Sequence, residues 1–219
     1  MNSVSNKCVI TGDIKGSRAF SAADWRIIQS RIRNALVDIN KSHSSAILRG
    51  FTITLDDEFQ GVLNTPEDSY DIFVHLQGIM PVEFRCGIGI GKIEVLSSKI
   101  TEMRGGSFFR SREALELAKK SGYPVIVKSS DAENNLMDDT LNTILGLINT
   151  IRSMWSSRQM EVVTFCRSHK DSTYSDLARE LNVSKQSISK VLNAAHWKAV
   201  QNGEQSVRRL LKELRTTSK

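Results

Sequence analysis

The 219-residue chain is 40% hydrophobic and 25% charged, a globular composition that excludes disordered and fibrous classes. No apolar run approaches the roughly 18 residues of a membrane helix, the start MNSVSNKCVITGD lacks a secretory pattern, and Cys8, Cys86 and Cys166 form no CxxC pair. A cytoplasmic protein with no membrane partner, no disulfide framework and no zinc site is therefore expected. The net charge of +6 is uneven: residues 1–150 carry 17 Lys+Arg and 18 Asp+Glu (net −1), and residues 151–219 carry 13 and 6 (net +7).

Lys7 to Thr11 predicts a short strand that stops in a turn at Gly12 and Asp13. Trp25, Ile28, Ile32, Leu36 and Ile39 recur every three or four residues, which predicts an amphipathic helix over about 22–40 with Ser21 as N-cap. Phe51, Ile53 and Leu55 alternate with threonines, acidic residues interrupt, and EFQGVL resumes at Glu58, the pattern of a β-hairpin. A helix over about 69–80, a strand over 83–90, a helix over about 108–120 and a strand over 124–128 follow. The order β α β β α β α β begins with six elements of a split βαβ, or ferredoxin-like, arrangement.

In that arrangement the end of the first strand and the hairpin tip come from adjacent central strands, which brings Asp13 near Asp56, Asp57 and Glu58. Carboxylates gathered at a strand edge suit Mg²⁺ or Mn²⁺, which prefer oxygen and arrive with substrate phosphates. A solvated acidic turn is the alternative. The backbone N–H groups of Gly16 and Ser17 offer a phosphate cradle, and Arg112 is placed to reach phosphates, to close a dimer interface or simply to be an exposed helix charge. Gly87, Gly89 and Gly91 lie within a strand pattern and fit neither a Rossmann fingerprint nor a P-loop, and the four histidines have no metal-motif spacing.

The segments GDIKGSR (12–18), FTITLDDEFQG (51–61), RCGIGIGKI (85–93) and GGSFFRSREAL (105–115) resemble the SatD family over roughly residues 5–130. More distantly they are similar to the palm domains of class III nucleotidyl cyclases and GGDEF enzymes. That resemblance implies Asp13 and Asp57 as metal ligands, with Arg85 and Gly87 on the strand that follows. Asp56 departs from it, standing where the palm families have Gly, and no base-selecting pair is apparent.

Met137, Leu141, Ile144, Ile148, Ile151 and Trp155 form one stripe on a predicted helix over about 135–156, available to the chain's own packing or to a homodimer. Beyond it, Thr173 caps a short helix over 174–181, Asn182 and Val183 turn, and Ser184 caps a second helix beginning KQSISKVL, the spacing of a helix-turn-helix. Ser184, Lys185, Gln186, Ser187, Ser189 and Lys190 are the candidate DNA-binding residues. Gly203 is expected to break the chain before a last amphipathic helix through Val207, Leu210, Leu211 and Leu214.

The expected fold class is thus α+β: a ferredoxin-like palm domain (1–133), a connecting helix (134–156) and an all-α helix-turn-helix domain (157–219). The expected function is a transcriptional regulator that binds double-stranded DNA and whose palm-like domain binds a nucleotide or divalent metal. The alternative is a metal-dependent nucleotidyl cyclase or nucleotidyltransferase tethered by its helix-turn-helix.

Overall fold

The computed structural model describes residues 5–169 and 172–216; positions 1–4, 170–171 and 217–219, which belong to the expected first and last segments, lie outside the described residues. The architecture is α+β. In chain order it runs β1 (Lys7–Ile14), α1 (Ala22–Ser42), β2 (Ile47–Ile53), β3 (Glu58–Leu63), α2 (Ser69–Ile79), β4 (Phe84–Gly91), α3 (Gly106–Ser121), β5 (Val125–Lys128), α4 (Leu136–Ser153), α5 (Ser157–Ser168), α6 (Tyr174–Glu180), α7 (Lys185–Ala194) and α8 (Trp197–Glu213). The described residues divide into two compact units, one running to Thr143 and resuming at Val207, the other spanning Ile144–Ser206.

The first unit is built on one sheet in the order β2-β3-β1-β4-β5, antiparallel except for the parallel β4–β5 pair. β1 takes a central place because Cys8, Val9 and Ile10 are apolar on both faces and fully buried. Burial pushes the Cys8 thiol up to about 12, and Cys86 on β4 is pushed up by its own burial, so both behave as small hydrophobes. Alternation along the strands separates the two faces. Phe84 and Phe59, whose rings meet at 5.4 Å, point towards α2, where Phe73 lies 6.1 Å from Phe84. On the opposite face the buried hydroxyl of Thr11 is 2.9 Å from Ser111 of α3 and accepts a hydrogen bond from Gln60. α3 lies directly on β4: a Cβ on Gly87 would sit 2.0 Å from the Ser111 carbonyl oxygen, and one on Gly89 2.1 Å from that of Ser107. The glycine run is thus a close-packing surface for a helix.

The end of α8 belongs to this unit. Arg208 donates to Asp71 Oδ1 from Nη2 at 2.7 Å and from Nε at 2.9 Å, its guanidinium lies 5.5 Å from the Tyr70 ring centroid, and Asn6 donates to the Leu214 carbonyl.

In the second unit, Trp155 donates to the Ala195 carbonyl at 2.8 Å and meets Trp197 edge-on at 6.3 Å, while Arg167 stacks over Trp197 and pairs with Glu204. Leu177, Ala178, Ile188 and Leu192 bury the contact between α6 and α7. Of the apolar stripe along α4 and beyond it, Leu141 and Ile148 are buried and the others half-buried.

Two local expectations change, and one helix is new. β1 continues three residues beyond Thr11, so Asp13 lies within a strand. α8 passes straight through Gly203, because a single glycine costs a helix only about 1 kcal/mol and here allows close approach: a Cβ would sit 3.1 Å from the Ile148 side chain. α5 was not foreseen, since its apolar face is short; a capping box between Ser156 and Gln159 starts it.

Candidate functional site

Asp13 pairs directly with Glu58 on β3 and Arg85 on β4, so these three share one sheet face. α3 covers that face and brings two cations to it. Lys119 Nζ is 3.0 Å from Asp13 Oδ1, and Arg112 lies 3.9 Å from Glu58 Oε2. Burial opposes the charge on Lys119, but Asp13 and Glu116 outweigh it and hold its pKa up. Glu58 is 15% exposed, and its Oε2 is buried with no hydrogen-bond partner, leaving Arg112 as its distant counter-charge.

Asp57 diverges from this cluster. Its side chain accepts a 2.7 Å hydrogen bond from Ser17, and its carbonyl accepts from the Ile14 N–H. The carboxylate sharing Asp13's face is therefore Glu58, one residue further on, a consequence of register that composition alone does not reveal. Gly16 has φ 72°, a left-handed conformation that favours glycine, and Ser17 opens a 3₁₀ turn. Neither N–H donates to any described residue; Gly16 is exposed and Ser17 half-buried, a pair of donors of the kind that binds anions. Asp56 is exposed at the hairpin tip, where its carbonyl accepts from Gln29. Gln29 and Arg33 of α1, which sequence reasoning did not single out, line a cleft of about 530 Å³ with Asp56 and Asp57.

The structure thus brings Asp13, Glu58, Arg112 and Lys119 together, and separately Asp57, Ser17 and Gly16. Oxygen donors of this kind suit a hard divalent cation. As arranged, however, such a cation must displace Lys119 from Asp13 and Ser17 from Asp57, and no group of three or more His, Cys, Asp or Glu among the described residues is disposed to hold a metal.

The second candidate surface is the α6–α7 pair. Thr173 caps α6 through a reciprocal box with Asp176, Asn182 makes the turn at φ 50°, and the Ser184 hydroxyl oxygen accepts from the Ser187 N–H to cap α7. Ser184, Lys185, Gln186 and Lys190 are exposed, and Ser187 and Ser189 are half-exposed. Lys185 and Lys190 have no ion-pair partner among the described residues. The basic surplus is shared between the units: residues 144–206 carry 8 Lys+Arg and 5 Asp+Glu, and residues 207–219 carry 5 and 1.

No helix among the described residues is long and apolar enough to cross a membrane. The SatD family model matches residues 8–211. No curated protein matches the chain. Among solved structures, the chain is similar to that of a bacterial light-regulated adenylyl cyclase, at a TM-score of 0.44 and 12% identity, over 58% of this chain and 44% of that one. The match thus spans less than half of the cyclase chain.

Proposed function

The chain belongs to the SatD family, and we propose that it is a DNA-binding regulator whose palm-like unit binds a nucleotide without turning it over. The observation that carries the DNA reading is the α6–α7 pair. Two capped helices are joined by a tight left-handed turn at Asn182, their apolar faces are buried against each other, and Lys185, Gln186 and Lys190 are left exposed on α7. Such a helix offers amide and ammonium donors to base edges and phosphates in a major groove.

Binding without turnover is supported by the occupancy of the acidic face. In a palm-like unit Asp13 would hold the cation that carries chemistry, and here Lys119 neutralises it at 3.0 Å. The unpaired N–H groups of Gly16 and Ser17, with Arg33 in the cleft that Asp57 also lines, supply donors for a phosphate, and the Asp56 and Asp57 carboxylates in that cleft call for a cation to accompany it.

Fluorescence anisotropy of labelled duplex DNA, titrated with and without nucleoside triphosphates, tests the reading. DNA affinity that shifts when nucleotide is added supports it; an affinity indifferent to every nucleotide, or no DNA binding at low salt, contradicts it. Mass analysis of the same mixtures with Mg²⁺ or Mn²⁺ separates the enzyme alternative, which requires a cyclised or transferred product.

A further inference from the structure

A second cavity in the first unit, of about 470 Å³, lies where α2 ends and β4 begins. Its walls include Met80, Pro81, Phe84 and Pro124, surfaces suited to a planar ring, and its polar groups include Gln77 and Glu83. Gln77 carries an unexplained feature: its side-chain carbonyl Oε1 is buried and accepts no hydrogen bond. Native structures rarely leave such an acceptor unpaired unless a water or ligand supplies the donor. Glu83 is committed elsewhere, because its carboxylate pairs with Lys15 at 2.8 Å.

The cavity's position links it to the phosphate-binding turn. The Glu83 carbonyl accepts from the Lys15 N–H, and Gly16 and Ser17 follow immediately. Glu83 thus belongs both to the cavity wall and to the strand end hydrogen-bonded next to that turn, which gives a molecule with a flat ring in the cavity a direction in which to extend its polar tail. A nucleobase edge presents a donor next to an acceptor, and a glutamine amide presents the complementary acceptor and donor, which allows a paired contact.

We propose that this cavity takes the base of the bound nucleotide and that Gln77 reads the base's hydrogen-bonding edge. The inference rests on the nucleotide-binding reading above and assigns the base selector that the sequence did not reveal. Met80, Pro81 and Pro124 flank the ring, the Phe84 ring being committed to Phe59 and Phe73, and the Gln77 amide turns out from its buried, unpartnered position to pair with the base edge.

Calorimetric titration of the full chain with inorganic tripolyphosphate, ATP and GTP tests it, for the wild type and Gln77→Leu, all in one Mg²⁺ buffer. At least one nucleotide is expected to bind about tenfold or more tighter than tripolyphosphate. Gln77→Leu should abolish that advantage, leave tripolyphosphate affinity unchanged and melt no lower than wild type, because it removes an unpaired buried acceptor. Gln77→Met, which keeps the side chain's length, gives the same readout should the leucine variant not fold. Nucleotides binding no tighter than tripolyphosphate, or an advantage that survives both variants, would overturn the base site while leaving the phosphate site standing. If neither nucleotide nor tripolyphosphate binds, the nucleotide reading falls and this inference with it.

Discussion

At the scale of single residues, Lys119 is the group on which the acidic face depends. Asp13 and Glu58 are cross-strand partners, and two carboxylates so placed repel unless a cation lies between or beside them. In Lys119→Met the apolar stem is retained and the charge lost, so the protein should melt lower in metal-free buffer, by an amount equivalent to about 1 kcal/mol, and millimolar Mn²⁺ should recover more stability than it adds to wild type. Melting curves indifferent to Mn²⁺ in both proteins would show that these carboxylates do not accept a cation. His43 shows a different kind of coupling. Its Nε2 lies 2.9 Å from His75 Nδ1, joining the end of α1 to α2, and such a contact requires at least one ring to be neutral. Burial and then His75 hold the His43 pKa below its ordinary 6.5, against the opposing pull of Asp68 and Asp71. Between the folded and unfolded values the unfolded chain binds more protons, so stability is complete above about pH 6.5 and is lost as the pH falls towards the folded value. The melting temperature should therefore drop on acidification below about 6.5, and His43→Gln should flatten that drop. Histidines 32 residues apart in sequence announce no such pair, which exists only because α1 and α2 pack side by side.

At the scale of elements, the placement of α3 governs the candidate site, because this one helix delivers Ser111, Arg112 and Lys119 to the sheet. Gly87→Ala would drive a methyl group into helix backbone, 2.0 Å from the Ser111 carbonyl oxygen and 2.3 Å from the Leu115 nitrogen, neither of which can rotate away. Overpacking of this kind should cost about 3 kcal/mol, readable as a shift in denaturant midpoint at unchanged slope. A loss below about 1 kcal/mol would mean that α3 is not seated as described. The elements themselves were largely legible. The Trp25-to-Ile39 periodicity predicted α1, Ser21 its cap, and the interrupted alternation around Asp56 the hairpin; the observed ends differ by a few residues, as with β2, which begins at Ile47. Less legible was anything set by pairing between strands. Asp13 sits within β1 because hydrogen bonds to β3 and β4 extend that strand past its apolar run, and the same register makes Glu58 its neighbour in place of Asp57. Gly203 misled for a related reason: a glycine that lets a helix approach Ile148 looks, in sequence, like one that ends a helix.

At the scale of the whole molecule, charge is distributed differently from its appearance along the chain. The C-terminal third carries a net +7, but only +3 of it falls within the second unit, and the residues from Val207 onward belong to the first, where Arg208 is committed to Asp71 and Arg215 lies 3.4 Å from Glu67. Bulk charge therefore supports DNA binding less than the sequence alone implies, and the proposal rests on the particular residues of α7. This permits a direct test, the salt dependence of duplex-DNA binding for the wild type and the Lys185→Ala, Lys190→Ala double variant, with circular dichroism showing both folded. If α7 reaches phosphates through these lysines, the double variant should bind more weakly, and the slope of log affinity against log salt should shrink by about two units, roughly 0.9 for each phosphate no longer neutralised. A double variant that binds DNA with the affinity and salt slope of the wild type would contradict the assignment of DNA binding to α7.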